Sequence, residues 1–147
     1  MKSLLFLILL CLIAVPAVYA GDTQTGLNTY EQKMVSKTWV TTGALDRNGA
    51  SIPASDERVA VFFGNAEYFF DHNFSMTTPD GQPKMHGRWS MSGDGKTRTL
   101  TVLDENGQTR FTRVVENVKV EDDEYVYRIY PEETDKAVYF DIVHRPE

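Results

Sequence analysis

Lys84-Met-His-Gly-Arg-Trp-Ser-Met-Ser-Gly-Asp-Gly-Lys-Thr-Arg-Thr-Leu-Thr-Val-Leu103, residues 84–103, is the run from which the fold can be read. Met85, Gly87, Trp89 and Met91 recur at period two on one face, with Lys84, His86, Arg88 and Ser90 on the other. That alternation is what a half-buried strand requires. Gly93-Asp94-Gly95 then reverses the chain, because glycine and aspartate tolerate the positive φ of tight hairpin turns. Thr97 to Leu103 alternates again on the return. The run is a β-hairpin with one apolar and one polar face.

The pattern repeats outward in both directions. Asn48-Gly49, Asp80-Gly81, Asp94-Gly95 and Asn106-Gly107 are four turn signals between β-patterned runs. Strands are predicted from Lys37 through Thr42, then at Arg58–Phe63, Ala66–Phe70, Phe74–Thr78, Lys84–Met91, Thr97–Leu103, Thr109–Val120, Tyr125–Tyr130 and Ala137–His144. No intervening run is long or helical enough for a crossover. The chain is therefore all-β, an antiparallel up-and-down meander of about eight or nine strands. Closure into a barrel protects the edges of so large a sheet. A two-sheet sandwich is the alternative, and the short links between successive strands favour the barrel. One short helix is predicted ahead of the strands, at Asn28–Ser36. Asn28 can cap it, Glu31 is placed to bond back, and Leu27, Tyr30 and Met34 share a face that packs on or closes the end of a core.

The first twenty residues read as a cleavable signal peptide: Lys2 as the positive region, Leu4–Val15 as the apolar run, Pro16 as the break. Val18 and Ala20 supply the small residues needed for a cut after Ala20, leaving one domain over 21–147 and a periplasmic or secreted location. The alternative is a lipid anchor through Cys11, disfavoured by the bulky Leu10 before it. No membrane span is expected after cleavage. Cys11 is the single cysteine, so the mature domain has no disulfide, thiolate metal site or cysteine nucleophile and depends on its core. The net charge of −6 becomes −7 when Lys2 leaves, a balance that argues against nucleic-acid or anionic-membrane partners. The acidic runs Glu121–Glu124 and Glu132–Asp135 lack a spaced calcium-loop pattern and read as solvated turn tips.

Mid-strand arginines are the unusual feature: Arg88, Arg98, Arg110, Arg113 and Arg128. In the last two strands Val138, Phe140 and Ile142 oppose Tyr139, Asp141 and Val143, while Tyr125, Tyr127 and Ile129 oppose Val126, Arg128 and Tyr130. One face thus carries arginine, tyrosine and aspartate together. It is either a polar lumen holding a small anionic or aromatic ligand, or an outer surface of cross-strand ion pairs. The outer surface is favoured, although bulges can shift the period. Trp39, Tyr68, Phe70, Phe74 and Trp89 fit core filling better than an aromatic pocket. His72, His86 and His144 have no paired spacing, so no metal site is expected. Asp141 and His144, three apart on a strand, point to opposite faces. No catalytic or cofactor motif is present, and no enzymatic activity or cofactor is expected.

A short helix, then Ser36-Lys-Thr-Trp39 opening a strand, then a meander, resembles the lipocalin-like or calycin-like secreted barrels. Gly87-Arg-Trp89 looks like their Gly-x-Trp element, but it lies mid-chain rather than on the first strand, outside the core lipocalin pattern. Phe62-Phe-Gly-Asn-Ala-Glu-Tyr68, Asp80-Gly-Gln-Pro-Lys84, His86-Gly-Arg-Trp-Ser90 and Tyr139-Phe-Asp-Ile-Val-His-Arg-Pro146 resemble a bacterial exported family known as domain of unknown function 4822. The likeness runs over nearly all of the mature chain and brings no assigned activity. The expected function is non-enzymatic binding of a small apolar or amphipathic ligand, with Trp39, Tyr68, Trp89, Arg128 and Tyr139 as candidate contacts and the helix as lid or plug. The alternative is a protein-interaction module, such as an inhibitor of an extracytoplasmic enzyme, acting through loops 71–73 and 79–84.

Overall fold

A computed structural model describes residues 26–147; the expected leader, its cut site and Cys11 lie outside the described residues. The elements are α1 (Thr29–Met34), β1 (Thr38–Asp46), β2 (Ser51–Ile52), a 3-10 turn (Ala60–Phe62), β3 (Asn65–Tyr68), β4 (Asn73–Thr77), β5 (Pro83–Met91), β6 (Thr97–Leu103), β7 (Thr109–Val120), β8 (Tyr125–Ile129) and β9 (Phe140–Pro146). From β3 onward each strand pairs antiparallel with the next, and β1 pairs with both β3 and β9. That closes an eight-stranded barrel, with β2 as an extra strand beside the far end of β1. The architecture is the closed meander predicted from the turn signals.

Closure needs bent, strongly twisted walls. Bulges supply them between Thr41 and Gly43, Met76 and Thr77, Val102 and Leu103, and Asn117 and Lys119. Gly87 serves a different need. A Cβ there would lie 1.9 Å from the Thr101 carbonyl oxygen, so only glycine lets β5 approach β6 at this point. Gly95, at φ +72°, ends the hairpin turn, and the Tyr30 ring packs where a side chain would stand.

The helix forms as the capping pattern predicts, two residues shorter at its end. Asn28 Oδ1 accepts from the Tyr30 and Glu31 amides, and Glu31 Oε2 accepts from the Asn28 amide at 3.0 Å. The same two residues fix the helix to the barrel. Glu31 Oε1 accepts from the Met91 amide at 2.9 Å, and Asn28 Nδ2 donates to the Met91 carbonyl at 2.9 Å. Lys33 reaches the Val120 carbonyl. α1 therefore stops the barrel end where β5 finishes.

Three expectations are corrected. Arg58–Phe63 is not a strand. Asp56 accepts locally, through its carbonyl from the Val59 and Ala60 amides and through its carboxylate from the Arg58 amide, so the segment coils into the 3-10 turn. The last strand begins at Phe140, because Asp135 binds the Ala137 amide and holds the preceding residues in a turn. β3 ends at Tyr68, which leaves Phe69 and Phe70 exposed.

The core is the inner face of the barrel. Trp39, Phe74, Tyr125 and Ile142 are among its most buried side chains. Trp39 meets Tyr125 edge-on at 6.0 Å, and Tyr68 packs against Trp89 at 4.9 Å. Among the described residues, no helix is long and apolar enough to cross a membrane.

Candidate functional site

The interior is not packed throughout. A cavity of about 220 Å3 lies within the barrel, with Ala66, Met76, Met85, Leu100 and Val102 among its apolar walls. Its position follows from strand direction. On β5 the cavity is lined at Met85 and the helix is bound at Met91, six residues further on, or roughly 20 Å at about 3.3 Å per residue. The cavity thus opens away from α1, and the 3-10 turn, not the helix, sits at its mouth. Lys84 Nζ donates to the Val61 carbonyl and, at 3.3 Å, to the Phe63 carbonyl. Thr41 Oγ1 donates to the Phe62 carbonyl at 3.0 Å, and the Arg113 guanidinium lies 5.6 Å from the Phe62 ring. Val61 and Phe111 are exposed on the rim.

Arg98 is the deep polar group of the wall, 3% exposed. It enters the barrel because it alternates in phase with Leu100 and Val102, while Thr97, Thr99 and Thr101 face outward. Its Nη1 donates to the Tyr68 hydroxyl, and its guanidinium lies 4.6 Å from the Tyr127 ring, 5.4 Å from Tyr125 and 5.8 Å from Tyr68. Nε has no acceptor, and among the described residues no carboxylate lies within 4.0 Å of the group. Burial works against the charge, and the Tyr68 hydroxyl and the three ring faces offset part of that cost; the guanidinium nonetheless keeps its proton.

The same environment shapes its neighbours. Burial pushes the Tyr127 phenol up to about 12 and that of Tyr68 upward too, with Arg98 opposing both shifts. Burial, then the Arg98 charge, holds His144 down at about 3. His144 Nδ1 faces the Tyr125 carbonyl at 3.3 Å; a carbonyl only accepts, so Nδ1 carries the proton of a neutral ring. Burial and the Arg113 charge lower Lys84. Among the described residues the wall thus holds three basic side chains, Lys84, Arg98 and Arg113, and no carboxylate.

Of the five candidate contacts, Tyr68 lines this cavity. Trp39 and Trp89 lie in the core beside it, with both indole N–H groups engaged: Trp39 donates to the Met34 carbonyl at 2.9 Å and Trp89 to the Phe69 carbonyl at 3.2 Å. Arg128 and Tyr139 lie on the outer wall. Arg128 binds Asp141 through two hydrogen bonds of 2.8 and 3.0 Å and stacks 3.7 Å from the Tyr139 ring. This is the cross-strand ion pair of the outer-surface reading, between register partners on β8 and β9. Arg98, Tyr127 and His144 are the interior polar groups that the five leave out.

The remaining acid–base groups do not converge. His86 is exposed on the outer face of β5, and no hydrogen bond joins it to Asp141. His72 faces Glu31 at 3.4 Å near the helix. Among the described residues no three His, Cys, Asp or Glu side chains gather into a metal-sized cluster. The acidic tip is more engaged than a solvated turn: Glu121 binds Lys33, and Glu124 binds Lys119 and Arg145.

No curated protein matches the chain. Among solved structures, one titled "Biogenic amine-binding protein selenomethionine derivative" is similar to it at 11% identity and a TM-score of 0.41, over 78% of this chain and 64% of that one. This chain therefore spans just under two thirds of that structure's length. A family model matches residues 31–147, which takes in every strand of the barrel, and the chain belongs to the family described as "Domain of unknown function (DUF4822)".

Proposed function

We propose that this protein binds a small apolar or amphipathic molecule inside the barrel, without transforming it, and that it does so after export to the periplasm or the medium. The observation that carries this reading is the cavity of about 220 Å3, apolar over most of its wall, with polar side chains placed from its rim to Arg98. Ligand sites in barrels have this composition: apolar area for affinity, and a few fixed polar groups for orientation. The volume is below the roughly 300–1,000 Å3 of drug-sized sites, so the ligand is small. The 3-10 turn at the mouth is the segment through which it enters.

The test is native mass spectrometry of protein recovered from the compartment to which its own leader delivers it, compared with Met85→Trp, which places a larger ring on the cavity wall. The expected outcome is a reproducible non-covalent extra mass in the wild type, lost on denaturation and strongly reduced in the variant. An extra mass of equal intensity in both proteins would place the ligand elsewhere and sink the proposal.

A second reading, a module that docks on another protein, is favoured by one observation. Phe69 and Phe70 are 43% and 52% exposed beside the His72 turn. Phe70→Ser leaving a co-purifying protein partner in place would exclude that patch.

A further inference from the structure

We infer that the ligand of this barrel is a carboxylate, a small amphiphile whose head group docks on Arg98 while its apolar body lies against Leu100, Val102 and Met76. This rests on the cavity being the binding site and adds the chemical class of what it holds.

Charge distribution carries the inference. The protein is acidic, with 21 carboxylate side chains against 15 lysines and arginines. Yet among the described residues the cavity wall holds Lys84, Arg98 and Arg113 and no carboxylate. Acid has been excluded from this one compartment. A buried guanidinium is costly to keep unless it is paired with an anion, and removing water from it needs compensation. Here the compensation is partial. One nitrogen reaches the Tyr68 hydroxyl and aromatic rings cover the group, but Nε has no acceptor. All three phenols are neutral at physiological pH, since burial raises each of them, so none supplies a counter-charge. A planar carboxylate supplies the negative charge the wall lacks, accepting from the guanidinium where Arg98 lines the cavity.

The two other basic groups extend the field toward the entrance. Lys84 is held at the mouth by carbonyls of the turn, and Arg113 is exposed beside the Phe62 ring. An anion entering past the turn therefore meets positive charge from the rim to Arg98, while an ammonium is repelled along the same path. A cavity of about 220 Å3 suits a short chain or a single ring rather than a long acyl tail.

The experiment is isothermal titration calorimetry of the purified protein with octanoate, octan-1-ol and octylammonium, three probes that share a chain and differ in head-group charge. The expected order is octanoate tightest, octanol at least tenfold weaker and octylammonium without measurable binding. Arg98→Met removes the octanoate preference. Should that variant fail to fold, Arg113→Gln, at an exposed position, still tests the field and weakens octanoate a few-fold without changing octanol. Octanol binding as tightly as octanoate, or octylammonium binding tightest, overturns the carboxylate assignment while leaving the cavity as a ligand site. No heat with any probe, together with an unchanged extra mass in Met85→Trp, overturns both.

Discussion

At the scale of single residues, phase decides what a side chain does. Trp89 shares a face with Met91 and Gly87 and is buried in the core, its N–H satisfied by a backbone carbonyl. Trp89→Ala is expected to cost about 3–5 kcal/mol in urea unfolding, the usual loss for a large aromatic cut back in a core. A loss below about 1 kcal/mol would mean that the indole contributes little packing. The same phase reading makes Arg98 legible in retrospect: it alternates with Leu100 and Val102, not with the threonines. His144 likewise keeps step with Phe140 and Ile142. Arg128 opposes Tyr127 and Ile129, and so faces outward with Asp141. What period two cannot supply is depth along the barrel. Trp39 and Tyr68 both point inward, and only the three-dimensional placement shows that Tyr68 meets a cavity and Trp39 a packed neighbour.

At the scale of elements, local hydrogen bonding separates the parts that could be read from those that could not. The helix was legible because Asn28 and Glu31 carry a complete cap in four residues. Its attachment was not, since Met91 lies sixty residues from Glu31 and no local pattern joins them. Glu31→Ala removes the returning half of the capping box and the acceptor of a buried amide, and leaves the Asn28 cap in place. The expected loss is about 1–3 kcal/mol by chemical denaturation, with Glu31→Gln retaining part of it; a neutral Glu31→Ala would show that α1 is not fixed to β5 through this side chain. The segment Arg58–Phe63 has a strand-like composition, yet Asp56 bends it into the 3-10 turn through bonds spanning two to four residues. Propensity lost there to side-chain and carbonyl capture of the backbone. The segment that fails to join the wall is therefore the one that stands over the cavity mouth.

For the whole molecule, acid is the informative perturbation. His144 stays neutral in the folded protein down to about 3, whereas an unfolded histidine protonates near 6.5. The unfolded state therefore binds the extra proton first. Stability tied to His144 is fully present above pH 6.5 and falls by about 1.4 kcal/mol per pH unit below it, until the folded ring itself protonates. The carboxylates held low by their partners, such as Asp56 at about 2, release their contribution in more acidic solution. The window between pH 6.5 and 5 thus isolates the imidazole from them. Urea unfolding of wild type and His144→Gln is expected to show a wild-type decline of about 2 kcal/mol across it that is absent from the variant. Equal slopes would mean that His144 is solvated or charged in the fold.

The seam between β1 and β9 has a kinetic consequence. Trp39 lies opposite Pro146 and Asp46 opposite Phe140, so the wall joins residues roughly a hundred positions apart. Every other neighbour pairing from β3 onward joins strands that are adjacent in sequence and can zip locally. Closure must bear the loop entropy of almost the whole chain before its hydrogen bonds form. It is therefore a late event of folding, and the ring holds two unpaired edges until it happens. A polypeptide that ends before β9 can build hairpins but no container. The enclosed interior itself exists only once that seven-residue strand has arrived.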